Sequence, residues 1–163
     1  MDERELHNRS VWEGVSRKHV DEDDWLVAAA RVADTLTAAE RRLLAAVLAT
    51  RPVVVHLQSG HGLDDLDLVR AGARSVVGVD YSSVAVGAAQ RRANVLDLRS
   101  RYVVGEAVRT PLRTGAADLV YTGKGALIWI TDLAAWAAEI RRILRPGGTL
   151  FVYEAHPAVP LWT

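Results

Sequence analysis

The sequence predicts an α/β domain: a mostly parallel sheet of about five strands with an N-terminal helical segment. Three observations carry this. Short runs rich in β-branched and apolar residues recur at 53–57, 75–79, 102–104, 118–121 and 150–153, each followed within three residues by Gly, Asp or Glu. Stretches of helical periodicity separate the runs, and strands alternating with helices imply parallel pairing through right-handed crossovers. The length of 163 residues suits one domain, able to bury roughly 70% of the surface its unfolded chain exposes.

The elements follow in order. Residues 1–20 mix charge with Trp12 and Val15 and carry a weak helical signal. The run DEDDW opens a second stretch, over 22–36, with Trp25, Leu26, Ala29, Ala30 and Val32 at roughly helical spacing. Acidic residues in its first turn complement the helix dipole. Thr37 and Glu40 form a capping box ahead of Leu43, Leu44, Val47 and Leu48. The texture changes at Pro52. The run 53–57 reads as a buried parallel strand, with His56 as a packed core residue. A Ser59-Gly60-His61-Gly62 turn leads into a helix over 63–73, closed by Gly72. A second strand ends in Asp80, and Ser82 or Ser83 caps a helix reaching about Leu98. Strand 102–104 follows, then the breakers Pro111 and Gly115, then strand 118–121 ending at Thr122-Gly123. Thr131 caps a helix holding Leu133, Trp136, Ala137, Ile140 and Leu144, with Arg141, Arg142 and Arg145 in its last turn. Pro146-Gly147-Gly148 stops it before the fifth strand. There is no internal repeat. The boundary falls near Thr50, between a helical leader (1–50) and an α/β core (51–163) of one domain.

Composition narrows the function. The sequence holds 20 Lys+Arg against 20 Asp+Glu, which argues against a strongly basic nucleic-acid binder. With no cysteine, a disulfide scaffold, a thiolate zinc site and a cysteine nucleophile are excluded. The five histidines are scattered without metal-ligand spacing, so no metal is expected. No apolar run approaches the ~18–20 residues that span a bilayer, and MDERELHNRS does not read as a secretory signal. The expectation is a cytoplasmic protein, with no nucleic-acid or membrane partner.

In open parallel sheets, ligands sit beyond the carboxyl ends of the strands, at the switch point. The strand ends here are Gln58 to Gly62, Asp80-Tyr81, Glu106-Ala107, Thr122-Gly123 and Glu154 to His156. Glycines at 60 and 62 allow a ligand close to the backbone, and the following helix offers free N–H groups. Asp80 lies 18 residues past Gly62, near the ~20 expected for a carboxylate that accepts from ribose hydroxyls. The dinucleotide fingerprint wants a third Gly or Ala, and Asp65 stands there instead. That disfavours NAD or FAD and favours an adenosine ligand without phosphate.

With these residues in place, the sequence resembles a class I S-adenosylmethionine-dependent methyltransferase. The matching segments are VVVHLQSGHG, SVVGVDYS, VVGEA, ADLVYTG and ILRPGGTLFVYEAHP, over roughly residues 50 to 157. The resemblance implies a three-layer Rossmann-like fold and S-adenosyl-L-methionine as cofactor. Zero net charge gives no sign of the basic stripe an RNA acceptor would need. YTGKG stands after the fourth strand, where relatives that methylate amino groups carry an Asn-Pro motif, so a small molecule is the default methyl acceptor. The resemblance also implies that Gly60 and Gly62 pass close to the methionine part and ribose. Asp80 would hold the ribose hydroxyls. Tyr81 would lie against the adenine or pack under a lid. Glu106 and Ala107 would reach the adenine edge, unless Glu106 is only a solvated strand end. Thr122 and Gly123 would border the methionine moiety. Gln58 and Ser59 would contact its carboxylate or waters.

The family fold typically has seven strands, whereas five are read here, so the fifth would be an uncovered edge. The chain is then a fragment, a truncated product or one completed by a partner, and an uncovered edge invites homodimerisation. His156 is the candidate catalytic base, should the acceptor need one; its alternative is a strand-end histidine bonded to backbone. Lys124 binds an anionic substrate or is a solvated loop lysine. His61 contacts cofactor or solvent. Trp25 and Trp136 fall on apolar faces, while Trp12 and Trp129 either pack or wall the pocket. Trp12 sits in the leader, and residues 1–50 resemble the N-terminal helical lid that closes over cofactor in this family. A cofactor-binding protein without methyl transfer is the rival reading.

Overall fold

The computed structural model describes residues 3–20 and 34–154. In chain order the elements are α1 (Glu3–Val20), α2 (Ala38–Ala49), β1 (Val53–Leu57), α3 (Leu63–Arg70), β2 (Ser75–Asp80), α4 (Ser83–Val95), β3 (Ser100–Val104), β4 (Ala117–Gly123), a 3-10 turn (Leu127–Trp129), α5 (Leu133–Ile143) and β5 (Leu144–Tyr153). The helix expected over 22–36, with Trp25, falls almost wholly outside the described residues.

The strands form one five-stranded sheet in the order β3-β2-β1-β4-β5, and every pairing is parallel. Continuous apolar strands need cover on both faces, and both receive it. On one face Leu44 and Leu48 of α2 and Leu68 of α3 pack with Val54, Val76, Leu119 and Tyr121. On the other, Trp136, Ile140 and Ile143 of α5 pack with Val55, Leu57, Val79 and Val120. Fully burying such a side chain contributes about 1.5–3 kcal/mol. Alternate residues of β1 thus serve opposite faces, which fixes its register. The order reverses between β1 and β4, and that switch point places a crevice at their carboxyl ends.

The capping box of α2 forms as expected: Glu40 N–H donates to Thr37 Oγ1 at 3.2 Å and Thr37 N–H to Glu40 Oε2 at 2.7 Å. Ser82 caps α4. Other boundaries differ. The cap of α5 is Asp132, whose carboxylate accepts from Ala135 N–H at 2.8 Å, not Thr131. The helix stops at Ile143, so Arg145 leaves it and pairs with Asp118 at 2.8 Å. Pairing of β5 begins directly at Leu144, and the Pro-Gly-Gly turn is absorbed as a register shift opposite Ala117 and Leu119. Strand β5 is a sheet edge among the described residues, and it leaves Leu150 and Val152 exposed.

Candidate functional site

The turn after β1 is built from left-handed residues. Gln58 has φ 58°, Gly60 52° and Gly62 70°. Glycine adopts this region freely, and a side chain makes it strained. Gln58 is held there from the far side of the crevice, since its Nε2 donates to the Ala126 carbonyl at 2.7 Å. At Gly62 the place of a side chain is taken by the Tyr102 ring. At Gly123 it is taken by the Tyr153 carbonyl of β5, so that glycine is demanded by sheet packing.

Asp80 ends β2 with only 5% of its surface exposed. Its Oδ2 accepts from Gly60 N–H at 2.9 Å. Its Oδ1 accepts from Ser82 N–H at 2.9 Å and from the Trp12 indole N–H at 3.2 Å. Burial pushes its pKa up, and the N–H groups of Ser82, Gly60 and Trp12 pull it back only in part. Beside it, burial and the Asp80 charge push the Tyr81 hydroxyl up to about 12.

Two cavities occupy the crevice, of about 60 and 110 Å³. Gln58, Asp80, Tyr81 and Trp129 line both. Glu106, Ala107, Val108 and Ile130 also line the first, together with Asn8 and Arg9 of α1. Trp12, Gly123, Lys124 and Ala126 border the second. Trp12 and Trp129 stand 6.5 Å apart, ring to ring, above the turn.

The structure therefore brings Gln58, Asp80, Tyr81, Glu106, Ala107 and Gly123 to one crevice. Ser59 and Thr122 lie buried beside it, and neither hydroxyl has a hydrogen-bond partner among the described residues. The main chain of His61 accepts from Arg92 at 2.5 Å. Lys124 borders the second cavity, and its Nζ is engaged: it donates to Asp64 Oδ1 at 2.6 Å and to the Thr35 carbonyl at 2.8 Å. Trp136 is in the core. His156 lies outside the described residues.

Some contributors were given no role from the sequence. Asp65, which stood only as a misfit for dinucleotides, meets His56 at 2.6 Å in full burial. Glu154 accepts from Gly125, Ala126 and Leu127 N–H at 2.7, 2.8 and 2.9 Å, and so holds the loop after β4. A histidine inside an apolar strand and an aspartate in the first turn of the next helix were the available signal for the first pair. Val108 and Ile130 carried none, being apolar residues in irregular segments.

A parallel sheet of this order, with a glycine turn after its first strand and a buried carboxylate closing its second, is the scaffold of nucleoside-binding enzymes. Comparison with known proteins names the family. Residues 55–152 match the model of the methyltransferase domain. The chain belongs to that family, the class I S-adenosylmethionine-dependent methyltransferases with a Rossmann-like fold. A demethylmenaquinone methyltransferase of Thermus thermophilus is 33% identical over 64% of this chain and 47% of its own length. One from Deinococcus radiodurans is 29% identical over 94% of this chain and 56% of its own. The chain spans about half the length of these curated relatives. Among solved structures, the [4+2]-cyclase SpnF is 26% identical with a TM-score of 0.59, over 70% of this chain and 44% of its own. Geranyl diphosphate C-methyltransferase of Streptomyces coelicolor, solved with S-adenosyl-L-homocysteine, is 22% identical with a TM-score of 0.57, over 70% and 45%. Among the described residues no helix is long and apolar enough to cross a membrane, and no cluster of side chains is arranged to hold a metal ion.

Proposed function

We propose that this chain binds S-adenosylmethionine in the crevice and serves transfer of its methyl group to a small molecule. The observation that carries the reading is Asp80. Its donors are neutral N–H groups of Gly60, Ser82 and Trp12, so its buried charge suits further neutral donors, and paired ribose hydroxyls are such donors. The residues around it fit the rest. Tyr81, Ala107, Val108 and Ile130 give an adenine two apolar walls, with Glu106 at its edge. Gly60 and Gly62 let the main chain approach the ligand. Gln58, Ser59, Thr122 and Gly123 are assigned to the methionine part: Gln58 and Gly123 line the second cavity, and Ser59 and Thr122 lie buried beside it.

The bound cofactor supplies a methyl group on a cationic sulfur, open to in-line displacement. The work of the chain is to hold ribose and adenine fixed and to exclude water, because positioning accounts for much of the rate. His156 is the proposed base where the acceptor must lose a proton. A small-molecule acceptor agrees with the names of the demethylmenaquinone methyltransferases. The proposal includes work in the cytoplasm and pairing of two copies through the β5 edge.

Calorimetric titration with S-adenosylmethionine and S-adenosylhomocysteine tests this. Micromolar binding, about −8 kcal/mol, is expected, and Asp80→Ala should abolish it. No binding by a folded chain would defeat the reading.

A second reading, cofactor binding without methyl transfer, is favoured by Gln58. Its side chain crosses the crevice from a left-handed position, and a neighbour of this fold is a cyclase. Release of labelled methyl to any acceptor separates the two.

A further inference from the structure

We infer that Gln58 sets the length of ligand this site accepts: its side chain bars the crevice between the part that takes adenosine and the part that takes an amino-acid tail. The inference rests on the reading above, with adenine in the first cavity and the methionine part in the second. Gln58, Asp80, Tyr81 and Trp129 line both cavities. Of these four, Gln58 is the one bonded across, from the turn after β1 to the loop after β4, where its Nε2 donates to the Ala126 carbonyl at 2.7 Å. The crevice is accordingly two small cavities, of about 60 and 110 Å³, instead of one. A ligand that reaches from Ala107 and Val108 in the first to Gly123 and Ala126 in the second has to pass that amide.

Both ends of the bar are fixed. At its root, Ser59 N–H donates to the Val79 carbonyl at 3.1 Å and Gly60 N–H to Asp80 Oδ2 at 2.9 Å. These bonds pin the turn while Gln58 itself sits at φ 58°, a region that residues other than glycine seldom adopt. At its tip, Ala126 is held through its own N–H, which donates to Glu154 Oε1 at 2.8 Å. The amide is only half satisfied: Gln58 Oε1 is buried and has no hydrogen-bond partner among the described residues. A strained backbone and an unmet buried acceptor are both costly, and such costs gather at ligand sites. Glycine at 58 would carry neither and would leave the crevice continuous. The barred site therefore receives a nucleoside directly, but the bond from Gln58 to Ala126 must break before a tail can enter. That penalty falls on the affinity of the longer ligand alone.

The test is calorimetric titration of the whole chain with adenosine and with S-adenosylhomocysteine, comparing wild type with Gln58→Gly and Gln58→Ala. The readout is the ratio of the two affinities. A merely structural role would not move it, because a disturbed turn weakens both ligands alike. Relative to adenosine, both variants should bind S-adenosylhomocysteine about tenfold more tightly than wild type does, with adenosine itself within about twofold of wild type. A ratio within about threefold of wild type in either folded variant, or one shifted toward adenosine, with binding still abolished by Asp80→Ala, overturns the bar and leaves the cofactor reading standing. No binding of either ligand by folded wild type or variants overturns both.

Discussion

His56 Nδ1 stands 2.6 Å from Asp65 Oδ1, and both side chains are shut off from water. The pair pins α3 to β1 directly beneath the glycine turn, with the Tyr121 ring edge-on to His56 at 4.7 Å. Burial alone would pull the histidine pKa down, but the Asp65 charge and hydrogen bond outweigh it, and the net direction is up. A folded pKa above the unfolded ~6.5 stabilises the fold fully below about pH 6.5. That contribution is lost as pH rises through the folded value. Urea unfolding along a pH series should thus show wild type weakening on the alkaline side. Asp65→Asn should lose about 2 kcal/mol near neutrality and show a flatter pH profile. A difference between the two that does not shrink with rising pH would refute the charged pair.

A mirror case lies at the other face. Glu139 Oε1 accepts from Thr110 N–H at 2.7 Å, Thr110 Oγ1 at 2.6 Å and Arg142 at 2.6 Å, while Oε2 accepts from Arg142 Nε at 2.8 Å. The Arg142 fork, followed by the Thr110 donors, holds the carboxyl down at about 2 against the opposing effect of burial. A depressed pKa stabilises above the unfolded value of 4.5, and the benefit drains away as pH falls toward about 2. Glu139→Gln should cost about 2–3 kcal/mol at neutral pH. The gap to wild type should close during acid titration, as read by circular dichroism.

These two carboxylates show what was legible in the sequence. Patterns of nearest neighbours were: the β-branched runs, the Thr37–Glu40 box, the glycine turn and the Asp80 interval all report on segments of under twenty-five residues. Where two capping residues stood side by side, Thr131 and Asp132, local pattern had no means of choosing. Long-range pairing was hidden. Lys124 finds Asp64 and Thr35 only after the chain folds back, and Trp12 meets Asp80 across 68 residues from a helix without an apolar stripe.

Gln58 offers a test in which the usual ranking inverts. Alanine ordinarily outranks glycine in a structured segment because it loses less entropy on folding. At φ 58° the order should reverse. Gln58→Ala loses the bond to Ala126 and keeps the strain, whereas Gln58→Gly loses the bond and sheds it. Chemical denaturation should place the glycine variant above the alanine variant by about 1 kcal/mol. The opposite ranking would mean that the turn relaxes out of the left-handed region.

Glu154 decides the shape of the loop that walls the second cavity. Three successive N–H groups point at its carboxylate, and Lys124 N–H donates to the Tyr153 carbonyl at 2.7 Å beside it. The loop is thereby locked to the end of β5. The same loop carries the Ala126 carbonyl that Gln58 uses, so both sides of the crevice are referred to one carboxylate. Glu154→Ala leaves three donors without an acceptor and should lower stability by about 2 kcal/mol. Glu154→Gln, with a single acceptor oxygen, should fall between it and wild type. Amide exchange at 125–127 should quicken in the same order, and affinity for S-adenosylhomocysteine should decline with it. Faster exchange with unaltered affinity would separate the loop from the ligand and assign the second cavity a purely structural role.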